Sequence, residues 1–225
     1  MCAEPIAGTG AFNIKDCALI AIATGKKAQN LRELRDGLID IDLGSIYFHF
    51  WGGLLRSRFD DPHFNNDFAS WAHRALNDDS LAERLGIIDP TDYQDLEILR
   101  QELIDVIEQR LDEVEPHWAR PDQEFYFTRS QIVVFDTRQK ISDPMELGDA
   151  LAKMSLGSIF YHFIDARLRS PTSGQSDFHE WLGGFGDEYE ELRRDLANID
   201  PYFLNLTELR QNVSTVVKNY FRRIK

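Results

Sequence analysis

An internal repeat constrains the fold of this 225-residue chain more than any other feature of its sequence. The segment LGSIYFHF at Leu43–Phe50 returns as LGSIFYHF at Leu156–Phe163, which is 113 positions later. Without gaps, residues 34–57 match residues 147–170 at 12 of 24 positions. Self-similarity of this kind is the signature of a repeated structural unit. We therefore predict two homologous halves, and any fold assigned to one half must suit the other.

The repeat extends over most of the chain. A DFxxW motif begins at Asp67 and again at Asp177, and an IDP motif begins at Ile88 and again at Ile199. The segment between the copies contains two prolines, which cannot continue a helix. We predict a first repeat unit over residues 12–115, a linker over 116–121 and a second repeat unit over 122–225.

Each unit begins with a short apolar run typical of a strand, at residues 18–24 and 131–137, and a Phe-rich run precedes each of them. About five helices follow in each unit, and the second helix of each is expected to end near Arg58 and Arg169. The predicted N-caps are Asn30, Asp42, Asn66 and Asp95 in the first unit and Asp143, Ser155, Ser176 and Asn205 in the second.

The predicted fold is mainly α, an α+β class with a minor sheet. It consists of two tandem helical units, each with one short strand plus about five helices, related by a pseudo-two-fold axis. Two strands could pair across that axis. A lone strand leaves backbone amides without partners, so some other group has to cover its free edge.

The charge balance excludes some partners. The chain has 25 Lys and Arg against 38 Asp and Glu, a net charge of −13, and residues 1–115 carry −11 of it. An acidic protein does not displace counterions from nucleic acid and is repelled by an anionic membrane. We therefore predict no nucleic acid and no membrane as partner.

Two cysteines, Cys2 and Cys17, are expected to be free thiols in the cytoplasm. No targeting segment is expected, because the apolar run at 17–23 is too short to span a bilayer.

The repeated helix carries a serine and a histidine four positions apart, Ser45 with His49 and Ser158 with His162. This spacing puts both side chains on one face of a helix that is apolar nearly all round. A buried histidine must be hydrogen-bonded, so both histidines could be structural. Alternatively they line a small-ligand pocket or a metal site near the pseudo-two-fold axis. No HExxH or CxxC motif supports a metal, and no cofactor is predicted.

Two further pairs have a structural and a functional interpretation. Arg56 and Arg169 end the second helix, and Asp67 and Asp177 begin the third. They form either an Arg–Asp bridge or, on the two arginines, an anion site. Trp71 and Trp181 are either core residues or a stacking platform. No catalytic residue and no metal ligand is assigned. The candidate ligand-binding residues are Ser45, His49, Arg56, Asp67, Trp71, Ser158, His162, Arg169, Asp177 and Trp181.

The pattern of an Arg-Glu-Leu helix, a Ser-Ile-x-x-His helix and an Asn-Asp-Phe-x-x-Trp segment resembles an uncharacterised bacterial and archaeal family, a domain of unknown function. The resemblance covers residues 12–222. The second copy departs from it, with Ser176 in place of Asn66 and Arg138 in place of Gly25. If those residues served a ligand, the second site would be altered. The resemblance implies a fold but no reaction.

These observations favour a cytoplasmic helical scaffold that is not an enzyme and binds a partner protein or a small ligand. A partner that recognises charge is expected to dock on the first half. The alternative is a metal- or ligand-dependent enzyme with its site at the repeat interface, around His49 and His162. A homodimer is a third expectation, because apolar surface on the long helices at Leu96–Leu111 and Leu206–Tyr220 could pair subunits.

Overall fold

Two long strands form the sheet of this protein. The computed structural model describes residues 10–55, 63–115, 117–169 and 174–224. Strand β1 spans Phe12–Ala28 and strand β2 spans Phe125–Ile141, and they pair as a two-stranded sheet. Each has 17 residues, so the prediction of one short strand per unit was wrong. The Phe-rich run and the apolar run belong to one strand, because polar residues between them, such as Lys15, stand on its exposed face.

The chain divides into two compact units, and both strands contribute to each of them. The central unit is Leu19–Ile132, and the terminal unit combines the chain up to Ala18 with the chain from Val133 onward. In the central unit Thr24 Oγ1 donates to Phe127 O, and Lys27 Nζ contacts Glu124 Oε1, so the two strands run antiparallel there. The predicted repeat boundaries follow the sequence rather than these units, and they stay a prediction.

The protein is mainly helical. The central unit contains α1 (Leu31–Asp40), α2 (Leu43–Trp51), α3 (Asp67–Leu76), α4 (Asp79–Gly86) and α5 (Leu96–Glu113). The terminal unit contains α6 (Leu147–Lys153), α7 (Leu156–Ile159), α8 (Ala166–Arg169), α9 (Asp177–Gly183), α10 (Glu190–Ala197) and α11 (Leu206–Arg223). A π-helical segment, Phe160–Asp165, joins α7 to α8. Within the described ranges, no helix is long and apolar enough to cross a membrane.

Most of the predicted N-caps are confirmed. At the starts of seven helices the cap side chain accepts a hydrogen bond from a backbone N–H of the first turn. These caps are Asn30, Asp42, Asn66, Asp95, Ser155, Ser176 and Asn205. Asp143 instead caps a short 3₁₀ turn, and α6 begins only at Leu147. Helix α2 ends at Trp51, before the predicted Arg58, because Gly52 and Gly53 follow and glycine is a poor helix former.

The longest helices bury one apolar stripe each inside their own unit. On α5 the buried residues include Leu99, Leu103 and Ile107, and on α11 they include Val213 and Val217. Their spacing of three or four positions is that of one helical face. In both units these stripes cover the helices that carry the repeated histidine motif, which places that motif in the core.

Candidate functional site

In the central unit both ring nitrogens of His49 are occupied. His49 Nδ1 lies 2.9 Å from Asp67 Oδ2, and His49 Nε2 lies 3.1 Å from the backbone nitrogen of Thr128. The Thr128 N–H can only donate, so Nε2 is the acceptor and carries no proton. The proton of the neutral ring is then on Nδ1 and is donated to the carboxylate. His49 therefore connects helices α2 and α3 to strand β2.

The terminal unit contains the same arrangement around His162. His162 Nδ1 lies 2.7 Å from Asp177 Oδ2, and Nε2 accepts the backbone N–H of Lys15 at 2.9 Å. His162 is buried, and so is the carboxylate that orients it. This histidine connects α9 and the π-helical segment to strand β1.

The two histidines cover amides on strand edges that no other strand covers. Each strand of a two-stranded sheet has one edge that no other strand covers, and its amides need partners when they are buried. The amides of Thr128 and Lys15 are partly buried, and each has a ring nitrogen as its acceptor. The histidines are thus hydrogen-bond partners for the strand backbone.

The tryptophans bond backbone carbonyls that lie two residues before the first residue of each strand. Trp71 Nε1 donates to Gln123 O at 2.8 Å, and Trp181 Nε1 donates to Gly10 O at 2.9 Å. Both indole rings are buried. Phe125 lies against the ring of Trp71, with ring centroids 5.7 Å apart. The core interpretation of the tryptophans fits this geometry, because buried rings offer no stacking platform to a ligand.

A glycine lets each helix start approach the strand closely. A Cβ atom on Gly157 would lie 2.5 Å from Cys17 O and closer still to Asp16 Oδ1. A Cβ atom on Gly44 would lie 2.8 Å from Asp42 Oδ1 and 3.5 Å from Ser130 O. The Leu-Gly-Ser-Ile-x-x-His motif therefore combines a close approach to the strand with a hydrogen bond to it one turn later.

The serines of the motif differ between the units. Ser158 Oγ is hydrogen-bonded to Ser155 Oγ at 2.9 Å, beside the start of α7. Ser45 Oγ is buried and has no hydrogen-bond partner in the part of the chain that the structure describes. Neither hydroxyl is bonded to the histidine four residues later, so the motif does not form a Ser–His pair of the kind that activates a nucleophile.

The terminal unit adds an arginine to the buried His–Asp pair. Arg169 Nη2 lies 2.8 Å from Asp177 Oδ2, and Arg169 Nε lies 2.7 Å from Asp165 Oδ2. The guanidinium carbon stands 4.0 Å from the centre of the Tyr161 ring. Burial opposes the charge of Arg169, but the two carboxylates outweigh it and raise the pKa of the guanidinium above its ordinary value. This is the Arg–Asp bridge considered from the sequence; Arg56, its counterpart in the repeat, lies outside the described residues.

The acidic partner is more open in the central unit. The Asp67 side chain is 34% exposed, whereas the Asp177 side chain is 6% exposed. The first repeat has Gly52 at the position of Asp165, so of the two carboxylates that hold Arg169 only Asp177 has a counterpart there, Asp67. No group of three or more His, Cys, Asp or Glu side chains among the described residues is arranged to hold a metal ion.

Two buried groups were not singled out as site residues from the sequence. Glu124 accepts hydrogen bonds from Lys27, Gln29 and Tyr126, which lower the pKa of its carboxyl to about 2. Cys17 is a buried free thiol, as predicted, and burial next to Asp165 and Asp16 raises its pKa to about 12. Cys2 lies outside the described residues. The contacts of Glu124 with Lys27 and Gln29 join positions more than ninety residues apart, so nothing local in the sequence revealed them.

The fold and these contacts define a class of protein: a mainly helical α+β protein in which His–Asp pairs hold long strands by their backbone. The chain belongs to a family of unknown function, DUF5752, whose model matches residues 9–218. This confirms the resemblance to a domain of unknown function. The chain is also similar to OrfY from Thermoproteus tenax, at 30% identity and a TM-score of 0.82, over 95% of this chain and 96% of that one. None of the curated proteins matches it.

Proposed function

We propose that this protein is a non-enzymatic scaffold that binds a partner protein or a small ligand. One observation carries the proposal: both ring nitrogens of His49 and of His162 are already used in holding strands. A general base needs a ring nitrogen within reach of a substrate proton. Here that nitrogen accepts a backbone amide of the protein itself.

The other motif residues support the same interpretation. The indoles of Trp71 and Trp181 donate to backbone carbonyls just before the two strands, and Asp177 is shared between His162 and Arg169. The residues with the strongest pattern in the sequence therefore maintain the fold. The binding role falls to the surface of the scaffold, and no described geometry favours the enzyme alternative.

The recurrence of contacts supports a tandem duplication as part of this proposal. The strand amides of Lys15 and Thr128 are 113 positions apart. Their acceptors, His162 and His49 respectively, are also 113 positions apart. The hydroxyls of Thr24 and Thr137, again 113 apart, donate to the carbonyls of Phe127 and Ile14. Equivalent residues thus make equivalent contacts in the two units, as descent from one ancestral unit would produce.

The test begins with what the protein carries in its source cells. The tagged full chain is isolated at its native expression level, its bound species is identified by native mass spectrometry, and binding is measured again from purified components. We expect saturable binding of one species, recovered chemically unchanged. Conversion of that species by the wild-type chain, abolished by His49→Gln with His162→Gln in a variant that keeps its circular dichroism spectrum, would overturn the proposal.

A further inference from the structure

The loop between α5 and β2 displays an exposed tryptophan although it is held firmly to the central unit. Trp118 is 67% exposed, whereas the other three tryptophans, Trp51, Trp71 and Trp181, are buried. The neighbouring Ala119 is buried, and its N–H donates to Gln29 O at 2.7 Å. An exposed indole is a large apolar surface without an evident role in folding, and tryptophan is the residue most enriched at interface hot spots.

Gln29 connects this tryptophan to a second exposed aromatic ring. Its carbonyl receives the Ala119 N–H, and its side-chain amide donates to Glu124. Glu124 in turn accepts a hydrogen bond from the Tyr126 hydroxyl at 2.8 Å, and Tyr126 is 59% exposed. We call these two exposed rings, Trp118 and Tyr126, which hydrogen bonds link through Gln29 and Glu124, the aromatic patch.

Buried contacts hold the aromatic patch in place. The Glu124 side chain is only 4% exposed and also receives Lys27 Nζ at 2.8 Å. A turn follows Ala119 in the loop, closed by a hydrogen bond from the Gln123 N–H to Arg120 O at 2.8 Å. Gln123 O in turn accepts a hydrogen bond from the Trp71 indole. Because the Tyr126 ring and the backbone beside Trp118 are already held, their ordering costs little when a partner binds.

The charge of the central unit indicates the kind of partner. Residues 19–132 carry 22 acidic and 12 basic side chains, so the unit as a whole is acidic. In the loop itself, exposed Asp122 is accompanied by exposed Arg120, and Glu115 lies 3.8 Å from Arg32. Lys27 is engaged by Glu124. Aromatic faces attract Arg and Lys side chains, and an acidic surface accelerates association with a basic one.

We propose that the aromatic patch is the docking site for a partner protein that contacts it through a segment rich in arginine and lysine. This inference rests on the proposed binding function and names the surface and the chemistry of its partner. Phe203 in the terminal unit provides a matched control, because it is an aromatic residue that is 55% exposed and lies outside the central unit.

The experiment replaces Trp118, or in a parallel chain Phe203, with a photo-cross-linking phenylalanine analogue in the full-length protein within its source cells. We expect a cross-linked protein from position 118 and not from 203, attached through a basic segment. The purified partner should bind Trp118→Ala with Tyr126→Ala about tenfold or more weakly than wild type, and Phe203→Ala as tightly as wild type. High salt should weaken the wild-type complex.

The outcomes separate the two proposals. A partner that binds the double variant and wild type equally would overturn the docking site and leave the binding function standing. Equal cross-linking from both positions, no cross-linking from position 118, or attachment through an acidic or apolar segment would also overturn it. Turnover of a bound species would instead contradict the proposed function.

Discussion

The histidine of the repeated motif is a hydrogen-bond bridge between a carboxylate and a strand amide. Removal of the ring leaves that amide without its acceptor and takes one donor from the carboxylate, which for Asp177 leaves only Arg169. A buried donor without a partner costs about 1–3 kcal/mol, and the cavity left by the ring adds to that. The contribution of this ring to the stability of each unit therefore explains why a histidine stands at positions 49 and 162.

We expect His49→Ala and His162→Ala each to lower the free energy of unfolding by about 2–4 kcal/mol. The loss should be larger for His162, because Asp177 is the more deeply buried partner. Urea denaturation followed by circular dichroism measures it. His73→Ala is the control: His73 pairs with Asp79 on the surface, and its loss should cost less than about 1 kcal/mol. Equal effects of all three substitutions would contradict the bridging role.

Glu124 links residue chemistry to acid stability. The pKa of its carboxyl is about 2 in the folded protein, below the ordinary value of 4.5. Its contribution to stability is thus complete above about pH 4.5 and is lost as the pH falls toward 2. Glu124→Gln should be less stable than wild type near neutral pH, with the difference shrinking over that range. Urea midpoints across the acid range test this, and exposed Glu115→Gln should show no such trend.

At the scale of elements, both strands contain a residue with positive φ at equivalent repeat positions. Gly25 has φ +78° and Arg138 has φ +61°, and no atom lies within 4 Å of a Cβ built on Gly25. The requirement at this position is therefore the backbone angle and not space for a ligand. The departure of the second copy at Arg138 introduces strain into β2, because left-handed backbone costs a residue with a side chain about 1–2 kcal/mol.

This strain predicts opposite effects of two substitutions. Arg138→Gly should stabilise the protein by up to about 1 kcal/mol, because relief of the strain exceeds the added entropy of glycine in the unfolded chain. Gly25→Ala should destabilise it by a similar amount. Thermal and urea denaturation measure both, and Gly10→Ala is the control, since Gly10 has open space and no positive φ. Destabilisation by Arg138→Gly would show that the arginine side chain contributes more than its backbone strain costs.

The long helices bear on the expectation of a homodimer. The apolar stripes of α5 and α11 were considered as surfaces that could pair subunits. Their central residues, such as Leu103 and Val213, are buried inside the units that contain them. An amphipathic pattern shows that a helix face is covered, and it does not distinguish a neighbouring helix from a second subunit. A homodimer stays a prediction that would need another surface.

At the scale of the whole molecule, both strands pass without interruption from one unit into the other. Residues 12–18 of β1 contribute to the terminal unit, and residues 19–28 contribute to the central unit. The division of β2 falls between Ile132 and Val133. A unit that unfolds must therefore release strands whose remaining residues belong to the other unit.

We expect one cooperative unfolding transition for the full chain. Calorimetry should give a calorimetric enthalpy equal to the van't Hoff enthalpy. His162→Ala, which removes a contact of the terminal unit, should also lower the midpoint of a probe in the central unit, such as the ¹⁹F NMR signal of 5-fluorotryptophan placed at buried Trp71. Two separate transitions, of which His162→Ala moves only one, would contradict this coupling.

Sequence signals that act over a few residues predicted most of the helices correctly, whereas contacts between residues distant in sequence could not be predicted. The cap residues and apolar stripes identified most of the helices, because a cap bonds an amide two or three residues away and a stripe repeats every three or four. The two strands were found but were judged too short. Among the candidate site residues, His49, Asp67 and Trp71 surround one strand segment, and His162, Asp177, Arg169 and Trp181 surround another.

The sequence by itself predicted two related halves, and it determined that the chain is mainly helical and that both copies of the histidine motif are buried. Only the tertiary structure decided what the histidines bind: His49 meets Thr128, 79 positions away, and His162 meets Lys15, 147 positions away. In both cases the histidine recognises a backbone N–H. Every residue except proline has that group, so the partner leaves no trace in the sequence and is defined by folding alone.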